Sequence, residues 1–433
     1  MLAGRPVLEL VEGTRSAGVY DLASGAALDA VSPSQAAIVA QSYLEPGASP
    51  DARAGPAAER TGTHTGRASS GLQASGLLED DQWTLEGVSP GERPLYRFSL
   101  GDAQGTEIYV SRSTGRAVQL TTRSQRFWTW LGAVPHWLYF ADLRRHALWW
   151  SRTVIYSSLI GSFLTAVGLY IGVCQLIRRP AGRWSPYRGF NLWHHLSGLV
   201  FGLFTLTWVL SGLLSMNPWG LLEGGGAGAE RARLRGALIP LHEVRAALQA
   251  LASTHPDGVV SIETAPLHGQ LYLIASDAAG GRQRLDAGGA ATPLSSAELE
   301  FIAAALGGGG GGGGGTRATA AADESAALRL LPRGDDYYFS HHGSAVRLPV
   351  YRVVAADGAD TRYYIDPVSG GLLAKVDRAE RGYRWWHQAL HRMDFAAVLR
   401  ARPQWDVLMW LLMSGVSTVC ITGTYLGCRR LLR

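Results

Sequence analysis

Five of the 12 histidines in the chain stand at the edges of its longest apolar runs: His136, His194, His195, His387 and His391, with His146 a weaker sixth. An ionisable side chain is costly at the border of hydrocarbon, so its presence there calls for a function. Neutral imidazole can ligate haem iron through one ring nitrogen while the other is held by a hydrogen bond. The same positions also suit an interfacial aromatic belt, because Trp128, Trp130, Trp137, Trp193, Trp385 and Trp386 lie beside them.

Spacing restricts what these histidines can do together. His387 and His391 are separated as i and i+4, which on a helix puts them on one face about 5 to 6 Å apart, so they cannot bind one iron from opposite sides. The pair needs a partner elsewhere, and His136, ahead of the first apolar run, is the candidate on its side. His194 and His195 point about 100° apart around a helix, so at most one faces the centre of a bundle. His194 is favoured because it continues the small-residue stripe Gly198, Gly202, Thr205 and Gly212. Ser158, Gly161, Ser162, Thr165 and Gly168 share a face in the run before it. Such stripes let helix backbones approach closely or leave room for a planar ligand. Arg384 and Arg392 flank the His387/His391 pair and are near enough in sequence to meet propionate charges.

The elements that must position these residues are three runs without Asp, Glu, Lys or Arg: Thr153–Ile177, Leu196–Met216 and Val407–Cys428. Each provides the roughly 20 residues that a helix needs to cross the hydrocarbon of a bilayer. Hydrophobic residues make up 47% of the 433 residues and charged residues only 17%, as expected when part of a chain has left water. Basic residues set the orientation: Arg178, Arg179, Arg183 and Arg188 between the first two runs, and Arg429, Arg430 and Arg433 at the end, predict that both segments face the cytoplasm. Lys375 is the sole lysine among 40 basic residues, a composition that suggests a bacterial inner membrane.

The predicted fold class is a membrane α-helical bundle with periplasmic α+β domains. The chain divides into a periplasmic domain over 1–126, an interfacial aromatic helix over 127–150, and spans over 151–178, 194–216 and 406–428. A second periplasmic portion covers 217–383 and a second interfacial helix 384–405, with cytoplasmic segments at 179–193 and 429–433. Period-two alternation around Gly-containing turns predicts strands in Tyr96–Leu120 and Leu348–Val376. Ser-capped, Ala-rich helices are predicted at Ser32–Leu44 and Ser295–Leu306, and Leu241–Leu251 followed by Val259–Ile274 reads as a shorter copy. Low-complexity linkers are expected at Pro46–Ser75, Glu223–Ala229 and the glycine run Gly307–Gly315. An outside N-terminus requires export, yet Met1–Tyr20 has no basic segment followed by an apolar stretch, so a fourth span upstream is expected. That span would carry the partner of His194.

Other classes lack support. The formal charge of +5 comes from scattered arginines and not from a basic stripe interleaved with aromatics, which excludes a nucleic-acid reading. Cys174, Cys420 and Cys428 all fall in or at the end of spans, so no disulfide framework is implied outside them. No nucleophile elbow, phosphate loop or dinucleotide fingerprint appears. His341 and His342, near Asp335, Asp336 and Tyr338, are minor candidates for contact with a metal or ferric chelate.

The strand-turn-strand PVYRV and TRYYIDPVSGGLL resembles the PepSY domain, and the chain as a whole resembles the PepSY-associated transmembrane family of bacterial inner-membrane proteins. The most specific stretches are FWTWLGAVPHWLYF (Phe127–Phe140), Ser185–Gly220 and RWWHQALHRMDF (Arg384–Phe395). The resemblance implies four spans, of which this sequence has three. Some members are haem-containing reductases of ferric siderophores, which implies up to two haem b groups, a periplasmic ferric substrate and a separate donor, quinol or protein. A non-redox PepSY scaffold that binds periplasmic partners such as peptidases is the alternative.

Overall fold

The computed structural model describes residues 7–12, 15–21, 24–28, 30–43, 72–179, 181–254, 258–308, 328–341 and 345–433. It forms two compact units, Met1–Arg152 and Thr153–Arg433.

In the first unit, β1 (Val7–Glu12) and β2 (Arg15–Asp21) form a hairpin ahead of α1 (Pro33–Ser42). An antiparallel sheet follows in the order β3 (Gln73–Leu78), β4 (Leu95–Ser99), β5 (Glu107–Ser111) and β6 (Ala117–Thr121). α1 starts at Ser32 because that side chain accepts from the Gln35 amide while Gln35 accepts in return from the Ser32 amide, and Pro33 fits the first turn. Its Ala36 and Ala40 are fully buried against Tyr96, Phe98, Ile108 and Val110, alternate residues of β4 and β5. A fully buried side chain such as Ile108 contributes roughly 1.5–3 kcal/mol.

The aromatic segment that follows is divided into α2 (Arg123–Leu131), α3 (Ala133–Trp137) and α4 (Ala141–Arg145), where the sequence predicts one helix. Leu138 closes α3 in the left-handed conformation, φ 52°, which an unbranched reading of the apolar pattern does not anticipate. Phe127, Trp128, Leu131 and Trp137 remain exposed, an apolar surface of the kind an interfacial segment presents.

Among the described residues, three helices are long and apolar enough to cross a membrane: α5 (Ala147–Ile177), α6 (Phe190–Ser215) and the C-terminal helix Gln404–Leu431. Phe163, Leu164, Val200, Trp410 and Leu411 point outward, as side chains solvated by lipid do. α5 and α6 approach through glycine: a Cβ on Gly161 would stand 3.2 Å from Val209, and one on Gly202 2.7 Å from Leu169. Gly415 of the C-terminal helix lies under the Phe201 ring so closely that no Cβ would fit.

Between the second and third spans, α7 (Gly228–Arg235) and α8 (Leu241–Thr254) precede a sheet of β7 (Val259–Thr264), β8 (Leu273–Asp277) and β9 (Arg282–Leu285). α9 (Ser296–Gly307) then leads to a second sheet, β10 (Arg329–Leu331), β11 (Val350–Val354), β12 (Arg362–Ile365) and β13 (Leu372–Val376). Ser295 and Glu298 form the capping box of α9, and Ile302 and Leu306 bury its apolar face against Val353, Ile365 and Leu372. Both portions are therefore helices laid on antiparallel sheets. Most of the linker expected at Pro46–Ser75, and Gly309–Gly315 of the glycine run, lie outside the described residues.

The approach to the third span holds the site. α10 (Arg378–Tyr383) continues through a π-helical turn, Arg384–Ala389, into α11 (Leu390–Arg392). α12 (Ala397–Arg400) then precedes α13 (Gln404–Leu431). The single interfacial helix expected over 384–405 is thus broken, at Met393, whose φ of 55° is left-handed. That turn brings Asp394 back to Arg384, where Nη1 donates to Oδ1 at 2.8 Å and Nη2 to the Asp394 carbonyl at 2.9 Å. A left-handed non-glycine residue costs about 1–2 kcal/mol, which the buried pair and its hydrogen bonds offset.

Candidate functional site: histidines held at two levels of the α6/α13 pair

His387 stands on the π-helical turn and His391 on α11, with ring centroids 5.4 Å apart. They share one face, as spacing predicts, and both reach a single residue of α6. His387 Nδ1 lies 2.8 Å from the Ser211 main-chain carbonyl, and His391 Nδ1 lies 3.0 Å from the Ser211 hydroxyl. A carbonyl only accepts, so His387 must carry its proton on Nδ1 and its lone pair on Nε2. The Ser211 hydroxyl donates to the Trp208 carbonyl at 3.2 Å, so it accepts from His391 Nδ1, and the same tautomer follows. Ser211 is fully buried. Burial holds the His387 imidazole below its ordinary value, with the Ser211 carbonyl opposing and Arg392 assisting, so the ring is neutral near pH 7. A neutral imidazole with Nδ1 anchored and Nε2 basic is the form in which histidine ligates a metal.

A second level lies at the other end of α6. His194 Nδ1 is 3.1 Å from Thr422 Oγ1 on α13, and that hydroxyl donates to the Thr418 carbonyl at 2.6 Å, so here too Nδ1 carries the proton. Gly423 allows the approach, since a Cβ there would stand 3.0 Å from His194 Cε1. With a rise of 1.5 Å per residue, His194 and Ser211 are about 25 Å apart along α6. His195 has a different arrangement: Nε2 donates to the Gly172 carbonyl at 2.9 Å and Nδ1 accepts from Ser185 at 2.8 Å. Both ring nitrogens are engaged, so His195 ties α5 to the loop before α6, and of the adjacent pair His194 alone keeps a basic Nε2.

The stripe beginning at His194 does two things. Gly202 is consumed in packing against α5, whereas a Cβ on Gly198, or on Gly168 of α5, would meet nothing within 4 Å. Room therefore remains beside the helices. Among the described residues of the three long helices, Trp208 Nε1 and Ser162 Oγ are buried without a hydrogen-bond partner, and Trp208 is one turn from Ser211. A buried indole N–H without an acceptor costs about 1–3 kcal/mol and suits a carboxylate-bearing ligand. An imidazole with a basic Nε2 and an N–H without a partner are groups that a haem could use.

No family, curated protein or solved structure matches the chain. Its chemistry therefore rests on the site itself. His136 lies in the first unit, exposed on α3 with its ring edge-on to Trp137 at 6.1 Å, whereas His194, His195, His387 and His391 all lie in the second unit. His146 closes α4. Arg384 is committed to Asp394 and buried with it, which removes it from the propionate role its position suggested. His341 Nδ1 accepts from Arg392 at 3.2 Å, and His342 lies outside the described residues. Among the described residues no group of three or more His, Cys, Asp or Glu could hold a bare metal ion. Ser211, Thr422 and Trp208 are side chains of this candidate site that the sequence did not single out. Their signal is faint: a hydroxyl or indole in an apolar run reads as packing.

Proposed function

We propose that this chain is an electron-transfer protein of a bacterial inner membrane that uses haem b and passes electrons to a ferric chelate of siderophore type on the periplasmic side. The observation that carries the reading is Ser211, which fixes the tautomer of both His387 and His391 at one end of α6, while Thr422 does so for His194 at the other. One-electron exchange between ferric and ferrous iron is what a haem bound at each level would supply. The chain's own part is to present basic Nε2 atoms, to hold Nδ1 protons on fixed acceptors and to exclude water with the surrounding spans. Two levels about 25 Å apart along one helix would shorten the path between the aqueous phases, which a single central group would leave distant from both. The resemblance to PepSY-associated membrane proteins supports the same assignment, with the α+β portions as periplasmic docking surfaces. An absorption spectrum of the full-length protein purified in detergent tests it. A Soret band with reducible α and β bands is expected, and a featureless visible spectrum would replace this reading with that of a non-redox scaffold.

A further inference from the structure

A cleft of about 490 Å³ opens where the chain enters the third span, lined by Phe339, Ser340, His341, Arg392, Arg400 and Trp405 together with Asp394. Its polar groups are almost all donors. Asp394 is neutralised, its carboxylate held by Arg384 and its main-chain carbonyl by Arg384 and Arg400. Arg400 is matched by Asp336 at 2.6 Å and stacks on the Phe339 ring. Arg392 has no such match: among the described residues no carboxylate lies within ion-pair distance, and its Nη1 donates to a neutral acceptor, His341 Nδ1. His341 must then carry its proton on Nε2. Ser340 Oγ accepts from the Val346 amide at 3.1 Å, which leaves its own hydrogen to donate. One guanidinium without a carboxylate partner, one imidazole N–H and one hydroxyl thus line the same cleft, the kind of donors that a tetrahedral oxyanion takes.

The surroundings select the source of that anion. Trp405, in the first turn of α13, closes one wall and donates from Nε1 to the Arg392 carbonyl at 2.7 Å, at the depth where indoles mark a membrane boundary. Beside it, Phe395, Val398 and Val407 are 40%, 64% and 67% exposed, an apolar flank on which acyl chains can lie. We propose that the cleft binds the phosphate of an anionic phospholipid headgroup, with the acyl chains along the start of α13.

The full-length protein in nanodiscs of mixed phosphatidylcholine and phosphatidylglycerol provides the test, read by native mass spectrometry of retained lipid and by the haem spectrum. Wild type should retain a phosphatidylglycerol that Arg392→Gln and His341→Gln each lose by about tenfold or more. Arg430→Gln, at the opposite end of α13, should retain it, because diffuse attraction between arginine and an anionic surface would weaken in both places. Equal retention in all variants, or equal loss in Arg392→Gln and Arg430→Gln, overturns the site. Competition by glycerol phosphate or inorganic phosphate alone would make it a soluble-anion site and overturn the lipid assignment. Loss of haem in Arg392→Gln, with lipid unchanged, would hand the guanidinium to a propionate. The proposal stands apart from the haem reading, since lipid retention is measured whether or not the spectrum carries a Soret band.

Discussion

Ser211→Ala separates the two histidines that share this residue. The substitution removes the acceptor of His391 Nδ1, 3.0 Å away, but leaves the main-chain carbonyl that accepts from His387 at 2.8 Å. A buried N–H deprived of its partner costs about 1–3 kcal/mol, and the net value of one such hydrogen bond is about 1 kcal/mol. A double-mutant cycle of Ser211→Ala with His391→Phe, followed by thermal unfolding in detergent, should therefore give a coupling energy of about 1 kcal/mol. The cycle with His387→Phe should give a value near zero, because that bond ends on the backbone. If His391 is the iron ligand of this level, loss of the group behind it should also weaken haem retention by about 10- to 100-fold, whereas a ligand role for His387 would leave retention close to wild type. Coupling of Ser211 to His387 as large as that to His391, or none to either, would refute the assignment of the two acceptors.

Gly423→Ala should displace His194, since the new Cβ would stand 3.0 Å from Cε1, and should remove one haem from the spectrum; Gly168→Ala, where a Cβ meets open space, should not. Breaking the Arg384–Asp394 pair, whose side chains are 4% and 6% exposed, with Asp394→Asn should destabilise by about 3–5 kcal/mol in thermal unfolding, and Arg384→Met with Asp394→Leu should recover most of that loss. His387 and His341 both have folded values below the ordinary 6.5, so the unfolded chain takes up their protons first. Their stability is therefore in place above about pH 6.5 and is lost as pH falls through the folded values; His387→Phe should flatten that slope in a melting series. Trp208→Phe removes a buried donor that has no protein partner, so it should leave the stability of the haem-free protein unchanged or raise it by about 1 kcal/mol while lowering haem retention.

The spans were legible because a run without charge leaves no other solvent for a helix of that length. The sheets were legible because alternation at Tyr96–Leu120 and Leu348–Val376 marks strands, although β5 and β12 proved to be buried on both faces, and the Ser32 and Ser295 caps announced the helices that pack on them. The interfacial segments were less so. Leu138 and Met393 adopt left-handed conformations that glycine would have signalled and these residues do not, so two apparent helices are divided. His387 and His391 could be found from spacing, but not what holds them. Ser211 lies in an apolar run beside Gly212, and nothing in that run distinguishes a serine that packs from one that fixes two imidazoles. Arg384, a candidate for an external carboxylate by position, proved to have an internal one ten residues on, in the chain that returns at Met393.

The π-helical turn at Arg384–Ala389 carries one residue more than an α-helical turn over the same distance. Such a turn is an insertion that the fold has accommodated, and its removal would not be neutral. A one-residue deletion there would restore ordinary i→i+4 bonding and change the turn from which His387 reaches the Ser211 carbonyl, which should weaken that contact. In a lineage of such chains this segment could exchange side chains freely at its outward positions, Trp386 among them, but its length would be fixed.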